Sequence, residues 1–332
     1  MSNNILVTGA AGFIGYHLAK KLVSEGFRVT GIDNLNDYYS VKLKHDRLEN
    51  LKLMNSFQFQ LIDIADKPKI DQLFVDSRFD VVIHLAAQAG VRHSIDNPYK
   101  YVDSNLIGFM NILEACRNNP VDHLIFASSS SVYGANSVVP FEEHHAADNP
   151  VSLYAATKKA NEVLAHSYSA LYNIPSTGLR FFTVYGPYGR PDMAYFKFAQ
   201  AILEDRPIKV FNNGDMRRDF TYVDDIVESI FRLIGKIPVP RAGSATSGST
   251  IAPFALYNIG NNKPERLLDF IKILEELLGK TAIKEYMPMQ PGDVVETYAS
   301  IDSLSRLIGF APSTGLKVGL KSFVDWLNVY NK

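Results

Sequence analysis

Short apolar runs alternate with helical periodicity through the first half of the chain. Ile5-Leu6-Val7 has the length of a strand and stops at a glycine turn. From about Phe13 to Glu25 the apolar residues Leu18, Leu22 and Val23 share one helix face, with Gly26 as the stop. Arg28 to Asp33 reads as a second strand, and Phe57 to Ile62 alternates apolar and polar as a third. Val81 to Leu85 and Leu124 to Ala127 are apolar runs, as strands covered on both faces are. Strands and helices in alternation predict a parallel sheet with helices on both sides, an α/β fold of the doubly wound, Rossmann type.

The pattern changes in the second half. Thr177 to Phe182 reads as one more strand, and a helix runs from Tyr154 to about Tyr172. After Pro187 prolines and glycines thicken. Pro238 to Pro253 reads as a surface loop, and amphipathic helices follow near Glu265–Leu278 and Leu316–Tyr330. The expected organisation is a Rossmann domain over 1–186, including the Tyr154 helix. A smaller α/β lobe over 187–332 is expected to send some segments back to the sheet and to cover the strand ends.

Composition narrows the function classes. A hydrophobic fraction of 46% fits a globular protein with a sizeable core. A net charge of −1 gives no field that would attract nucleic acid or an anionic membrane. Cys116 is the only cysteine, which excludes an intrachain disulfide and a cysteine-based zinc site. It reads as a small core side chain. No secretory signal pattern and no apolar run of about 18 residues are visible, so the default setting is cytoplasmic.

Gly9-Ala10-Ala11-Gly12-Phe13-Ile14-Gly15 lies between the first strand and the first helix. Glycines there allow a sharp turn, close approach of a pyrophosphate and close helix–sheet packing, and the phosphate meets the positive end of the helix. Asp33 ends the second strand, where an acid accepts from ribose hydroxyls and repels a 2′-phosphate. Asn34, not an arginine, follows. Together these favour NAD over NADP. Asp63 follows the third strand and is expected near the adenine amino group.

Tyr154-Ala155-Ala156-Thr157-Lys158 places a phenol and an ammonium on one helix face. An adjacent cation favours the phenolate, and the pair makes a general acid and base near neutrality. Ser128-Ser129-Ser130-Ser131 ends a buried strand, and its hydroxyls suit a substrate hydroxyl and a developing carbonyl. His84 sits in an apolar strand and reads as a packed core histidine. No His, Asp or Glu cluster has metal spacing.

The glycine triplet, Asp33, the serine-ended strand and Tyr-x-x-x-Lys, in this order, resemble the extended short-chain dehydrogenase/reductases along nearly the whole chain. Within them the nucleotide-sugar 4-epimerases are the most similar. The resemblance implies Ser129 as catalytic serine, with Ser128 and Ser131 as second choices, Tyr154 as base and Lys158 as its partner. It implies an NAD site formed by Gly9, Gly12, Phe13, Ile14, Gly15, Asp33, Asn34, Asp63, Ile64, Leu85, Ala86, Ala87, Tyr154 and Lys158. The serine run lacks the Asp-Glu pair of the 4,6-dehydratases and the Glu of the decarboxylases of this family. A 4-epimerase needs neither.

Arg217 to Asp225 resembles the segment that sets an arginine, here Arg218, on the sugar-nucleotide diphosphate. Gln290 to Asp293 resembles the segment whose aspartate, here Asp293, binds the uridine ribose. Ala299-Ser300 departs from the usual Ala-Asp. Asp33 to Tyr39, Gly90 to Ser94 and Arg180 to Met193 resemble the 4-epimerases that act on uronates. The expected substrate is therefore UDP-glucuronate, converted to UDP-galacturonate. UDP-galactose, a UDP-N-acetylhexosamine or a UDP-pentose is the alternative, and a non-catalytic NAD-binding regulator or a net oxidoreductase a more distant one. Arg190, with Thr183 as neutral donor, is the expected holder of the sugar carboxylate. Arg92 and Ser130 join the expected sugar site. The resemblance also implies polysaccharide biosynthesis and a homodimer, formed through the helix after Tyr101 and the helix bearing Tyr154.

Overall fold

The computed structural model describes residues 4–136, 138–240, 252–289 and 296–331. Most of the expected loop, 241–251, and the segment carrying Asp293 lie outside the described residues.

Six strands of the first half, β1 (Asn4–Thr8), β2 (Arg28–Asp33), β3 (Phe57–Leu61), β4 (Val81–His84), β5 (His123–Ser129) and β6 (Ser176–Phe181), join a seventh, Phe254–Ile259. Their spatial order is Phe254–Ile259, β6, β5, β4, β1, β2, β3, and every pairing is parallel. Ile5 of β1 lies between Val29 of β2 and Val81 of β4. Consecutive strands therefore run outward in opposite directions from β1, and the crevice opens at that reversal, beyond the carboxyl ends of the strands. The alternating third run forms the edge strand. Phe57 is buried there and Leu61 is exposed.

Both faces are covered. The helix Phe13–Ser24 turns Leu18, Ala19 and Leu22 into one apolar layer with Ile226, Val227 and Ile230 of the helix Val223–Leu233. Each such leucine contributes roughly 1.5–3 kcal/mol by leaving water. The other face carries Ile70 and Leu73 of Lys67–Asp76 and Phe109, Ile112, Leu113 and Cys116 of Gly108–Asn118. Cys116 is a core side chain, its thiol pushed up to about 12 by burial.

The helix Leu153–Tyr172 is capped by Ser152, whose hydroxyl accepts from Ala155 N at 3.1 Å, and it ends at Asn173 in the left-handed region. It packs against β5. After β6 the chain builds a second, small sheet. Its central strand Arg217–Tyr222 pairs with Thr183–Tyr185, Pro264–Arg266 and Glu296–Thr297. Asp219, buried in that strand, accepts from the backbone N–H groups of Asn261, Asn262 and Ala299. The helices Ala194–Leu203, Leu267–Leu278 and Leu316–Tyr330 form its apolar layer. The Phe254–Ile259 strand returns to the main sheet from this later part of the chain.

Candidate functional site

A cavity of about 1190 Å³ opens over the strand ends and is bounded by both sheets. Pockets for one small ligand run to about 1,000 Å³, and this one is larger. Gly9, Gly12, Asp33, Ser129, Tyr154, Lys158, Thr183, Arg190 and Arg218 all reach its wall, although they are far apart along the chain.

At one end the turn after β1 leaves no room for side chains. Gly9 has φ +73°, and a Cβ there would stand 2.8 Å from the backbone nitrogen of Ala86. A Cβ at Gly15 would overlap the Gly9 carbonyl oxygen. The helix begins at Gly12 with no side-chain cap, and Gly12, Phe13, Ile14 and Gly15 line the cavity, so the first-turn N–H groups and the positive helix end face it. Asp33 is buried beside them. Its Oδ1 accepts from Leu35 N at 2.8 Å and its Oδ2 from Ala11 N at 3.2 Å. Burial pushes its pKa up, against the nearby Lys44 ammonium and these two bonds. An uncapped helix start, an acid at the end of β2 and a glycine turn pressed on Ala86 fit a dinucleotide, held by Gly9 to Gly15 and Asp33.

Asn34, Ile64, Leu85, Ala86 and Ala87 also reach the wall. Asp63 does not stand on it. Its carboxylate accepts from Asn34 Nδ2 at 2.9 Å and from Ala65 N at 2.9 Å, while the flanking Ile62 and Ile64 form the wall. Asp63 thus braces the turn that presents Asn34 and Ile64. His84 packs in the core as read from its strand. Its Nδ1 shares a 2.9 Å hydrogen bond with Thr8 Oγ1, and burial lowers its pKa to about 3, so the ring is neutral.

The serine run separates into distinct jobs. Ser128 turns inward and donates to Glu162 Oε1 at 2.6 Å. Glu162 in turn holds Arg180 through two bonds, Nε to Oε1 at 2.8 Å and Nη2 to Oε2 at 2.9 Å. Ser129 faces the cavity, where its hydroxyl donates to Ser131 Oγ at 3.2 Å and lies close enough to Tyr154 to favour its phenolate. Among the four serines, Ser129 is the one that acts on the tyrosine.

Tyr154 and Lys158 both line the cavity, as residues one helical turn apart should. Their electrostatics differ from the sequence reading. Burial raises the Tyr154 pKa, and Ser129 and the Arg190 charge oppose it. Lys158 donates to the Ala127 carbonyl oxygen at 2.8 Å, and burial lowers its pKa to about 8. The ammonium thus joins the tyrosine helix to β5, and the phenol of this site is neutral at pH 7 until further positive charge enters.

The other end carries cations. Arg92 lies over the Phe211 ring at 5.5 Å, and Arg218 sits on the small sheet with Nη1 on the Arg217 carbonyl oxygen at 2.9 Å. Asp219 beside it is committed to backbone N–H groups, and burial pushes its pKa up to about 6. Arg190 is neither a lone cation nor a water-exposed loop residue. It forms a fork on Asp192, Nε to Oδ1 at 3.0 Å and Nη2 to Oδ2 at 2.6 Å. Burial works against its charge, but Asp192 outweighs it and holds the pKa above the usual range. Tyr38 donates to the same Asp192 Oδ2 at 3.0 Å.

Tyr38, Asp192 and the Glu162–Arg180 pair carry no role in the sequence reading. Tyr38 and Asp192 lie inside the stretches that resemble uronate-acting enzymes, so the stretches were visible but not the contact between them. Among the described residues no group of three or more His, Cys, Asp or Glu side chains is placed to hold a metal, and no helix is long and apolar enough to cross a membrane.

Comparison with known proteins agrees with this geometry. The model of the NAD dependent epimerase/dehydratase family matches residues 5–244. Protein CapI of Staphylococcus aureus is 56% identical over 332 residues, 99% of each chain. A probable UDP-glucuronate 4-epimerase of Rhizobium meliloti is 48% identical over 97% of this chain and 96% of its own. The crystal structure of UDP-glucuronic acid 4-epimerase from Bacillus cereus, in complex with UDP-glucuronic acid and NAD, superposes with a TM-score of 0.86. It is 36% identical and covers 98% of this chain and 99% of that one.

Proposed function

The chain belongs to the NAD dependent epimerase/dehydratase family, and from that premise we propose that it interconverts UDP-glucuronate and UDP-galacturonate by inverting C4 of the sugar. The observation that carries the reading is one cavity whose wall brings Ser129, Tyr154 and Lys158 together with a dinucleotide cradle and the Arg190–Asp192 pair. NAD supplies the hydride acceptor and later the hydride donor, so it is regenerated in each cycle.

Tyr154, as phenolate, takes the proton of the C4 hydroxyl as its hydride leaves, and returns that proton when the hydride comes back on the other face. Ser129, beside Tyr154, donates to the C4 oxygen and steadies it as alcohol and as ketone. Lys158 keeps a positive charge near the phenolate from its anchor on Ala127. Between the two transfers the 4-keto sugar turns over, and a cavity of about 1190 Å³ leaves room for that movement. Arg218 is assigned to the diphosphate, and Asp293 to the uridine ribose. Residues 1–186 supply the cofactor side and 187–332 mainly the sugar-nucleotide side.

The substrate creates its own hazard. A 4-keto uronate is a β-keto acid and loses CO₂ when the carboxylate bond stands perpendicular to the carbonyl plane. Thr183 and Arg190 are assigned to hold the carboxylate out of that orientation, with Arg92 and Ser130 completing the wall.

A homodimer in the cytoplasm, supplying a precursor for polysaccharide, completes the reading. The groove between the helices bearing Met110 and Tyr154 supports the dimer, because Ile107 and Val163 are 47% and 58% exposed beside it. Sedimentation of the protein tests that part. The function is tested by NMR of the product formed from UDP-glucuronate with no cofactor added. UDP-galacturonate is expected, and no C4 inversion of this substrate, with inversion of UDP-glucose instead, would transfer the assignment to a neutral sugar.

A further inference from the structure

We infer that Asp192 is a positioning residue that aims Arg190 at the carboxylate of a uronate substrate, and that Tyr38 fixes Asp192 in turn. The inference rests on the uronate reading above and adds to it how the carboxylate site is built.

The geometry begins with the guanidinium. It carries five N–H groups in a plane and offers forks on more than one edge. Asp192 occupies one edge, taking Nε at 3.0 Å and Nη2 at 2.6 Å. The Nη1/Nη2 edge forms a second fork in the same plane, with Tyr38 beside the guanidinium. Because two bonds fix the plane, the orientation of the second fork follows from Asp192. Both residues line the same cavity as Tyr154, and the proposed site puts this edge at its reacting end.

Asp192 does not stand on the loop alone. The Tyr38 hydroxyl donates to its Oδ2 at 3.0 Å, and the Arg190 guanidinium lies 5.9 Å from the Tyr38 ring centre. The Tyr38 ring packs on His93 at 4.6 Å, and its hydroxyl fills the space a Cβ on Gly90 would need. The loop carrying Tyr38 is held from beneath by two buried cations. Lys44 donates to the Asn36 carbonyl oxygen at 2.7 Å, and Arg47 donates to the Tyr39 hydroxyl at 2.7 Å and to the Tyr188 carbonyl oxygen at 2.7 Å. The turn after β2 and the segment from Tyr188 to Asp192 are thereby fixed to each other. A site held within a fraction of an ångström by such support distinguishes orientations of one carboxylate, which is what suppressing CO₂ loss requires.

A resident carboxylate could instead compete with the substrate for Arg190, and the two arrangements predict opposite results. The test uses the NAD-loaded enzyme and its Asp192→Asn and Tyr38→Phe variants. Binding of UDP-glucuronate and of UDP-glucose is measured by calorimetry, and CO₂ released per UDP-galacturonate formed is measured during turnover. For Asp192→Asn, loss of aimed charge-assisted bonds is expected to weaken UDP-glucuronate binding about tenfold. It should also raise the CO₂ fraction about tenfold or more, and leave UDP-glucose binding within about twofold. Tyr38→Phe keeps the ring and should shift both quantities in the same direction by about threefold, which keeps the test alive if the Asn variant does not fold. Unchanged or tighter UDP-glucuronate binding, equal losses for both nucleotide sugars, or an unchanged CO₂ fraction overturns the inference. If the unmodified enzyme forms no UDP-galacturonate, the function itself fails, and that is seen before any variant is compared.

Discussion

Lys158 donates from Nζ to the carbonyl oxygen of Ala127 at 2.8 Å, two residues before Ser129 on the same strand. The bond spans from the tyrosine helix to the serine strand, so one side chain fixes the distance between base and serine and also places a charge. Burial lowers its pKa to about 8. The charged form is the one that favours the phenolate, so activity is expected below that value and lost as pH rises through about 8. Lys158→Arg retains charge throughout and should remove this basic limb from the kcat profile. Lys158→Met should lower kcat by about 10²–10⁴. A basic limb that persists unchanged in Lys158→Arg would assign it to another group.

Tyr154 is the proposed proton carrier, while the Gly9–Gly15 turn and Asp33 of the dinucleotide cradle lie on other elements. Tyr154→Phe keeps the ring and removes the oxygen, so turnover should fall by about 10²–10⁴. The nucleotide released on denaturing the purified variant should match that of the unmodified protein. Ser129→Ala should lower kcat in the same direction, whereas Ser128→Ala should act mainly on stability, because Ser128 is bonded to Glu162 and not to Tyr154. Equal kinetic losses from both serine variants would contradict the separation of their roles.

Arg190 is expected to govern the fate of the keto sugar more than its formation. Arg190→His keeps a planar donor but loses the double fork, and Arg190→Lys keeps charge without a plane. Both should continue to oxidise C4 while releasing CO₂ and a UDP-4-ketopentose. Gas evolution and product NMR measure the ratio. Undiminished epimerisation with no added CO₂ in both variants would remove Arg190 from the carboxylate site.

Much of this was legible in the sequence because it is carried by local patterns. Alternating apolar runs gave β1 to β6, and a tyrosine and lysine four apart on a helix had to share a face. The strand Phe254–Ile259 lies outside the sequence expectation, because the Gly/Ser-rich stretch before it reads as loop through Pro253 and its own residues show no apolar/polar alternation, the polar Asn258 being buried. The serine register was open for a physical reason. Which hydroxyl turns inward depends on Glu162 and Arg180, which are distant in sequence and identifiable only when helix and sheet are packed. Asp63 is expected at the adenine, and its bonds to Asn34 and Ala65, which depend on the turn after β2, are not visible in the sequence. The state of Arg190 was likewise invisible, since Tyr38 meets Asp192 across 154 positions of chain.

The Glu162–Arg180 pair offers the strongest stability prediction. Both side chains are 2% exposed, joined by two bonds, with Ser128 completing one carboxylate oxygen. Such a pair is costly to desolvate, so its intact form adds little compared with an apolar substitute, but removing one partner leaves a buried charge unmatched. Glu162→Ala is expected to destabilise the fold by about 3–5 kcal/mol. The exposed pair of Lys321 and Asp325 on one helix is the control, since Lys321→Ala should change stability by about 0.5 kcal/mol or less. Urea unfolding followed by near-ultraviolet circular dichroism compares the two. Replacing Glu162 and Arg180 together by methionine should recover part of the loss, because no charge then remains unmatched. The double variant also lacks the Glu162 partner of Ser128, and, as for Ser128→Ala, its kcat should stay close to that of the unmodified protein while its stability rises. A kcat that stays low as stability recovers would give the pair a hold on catalysis beyond its structural bonds.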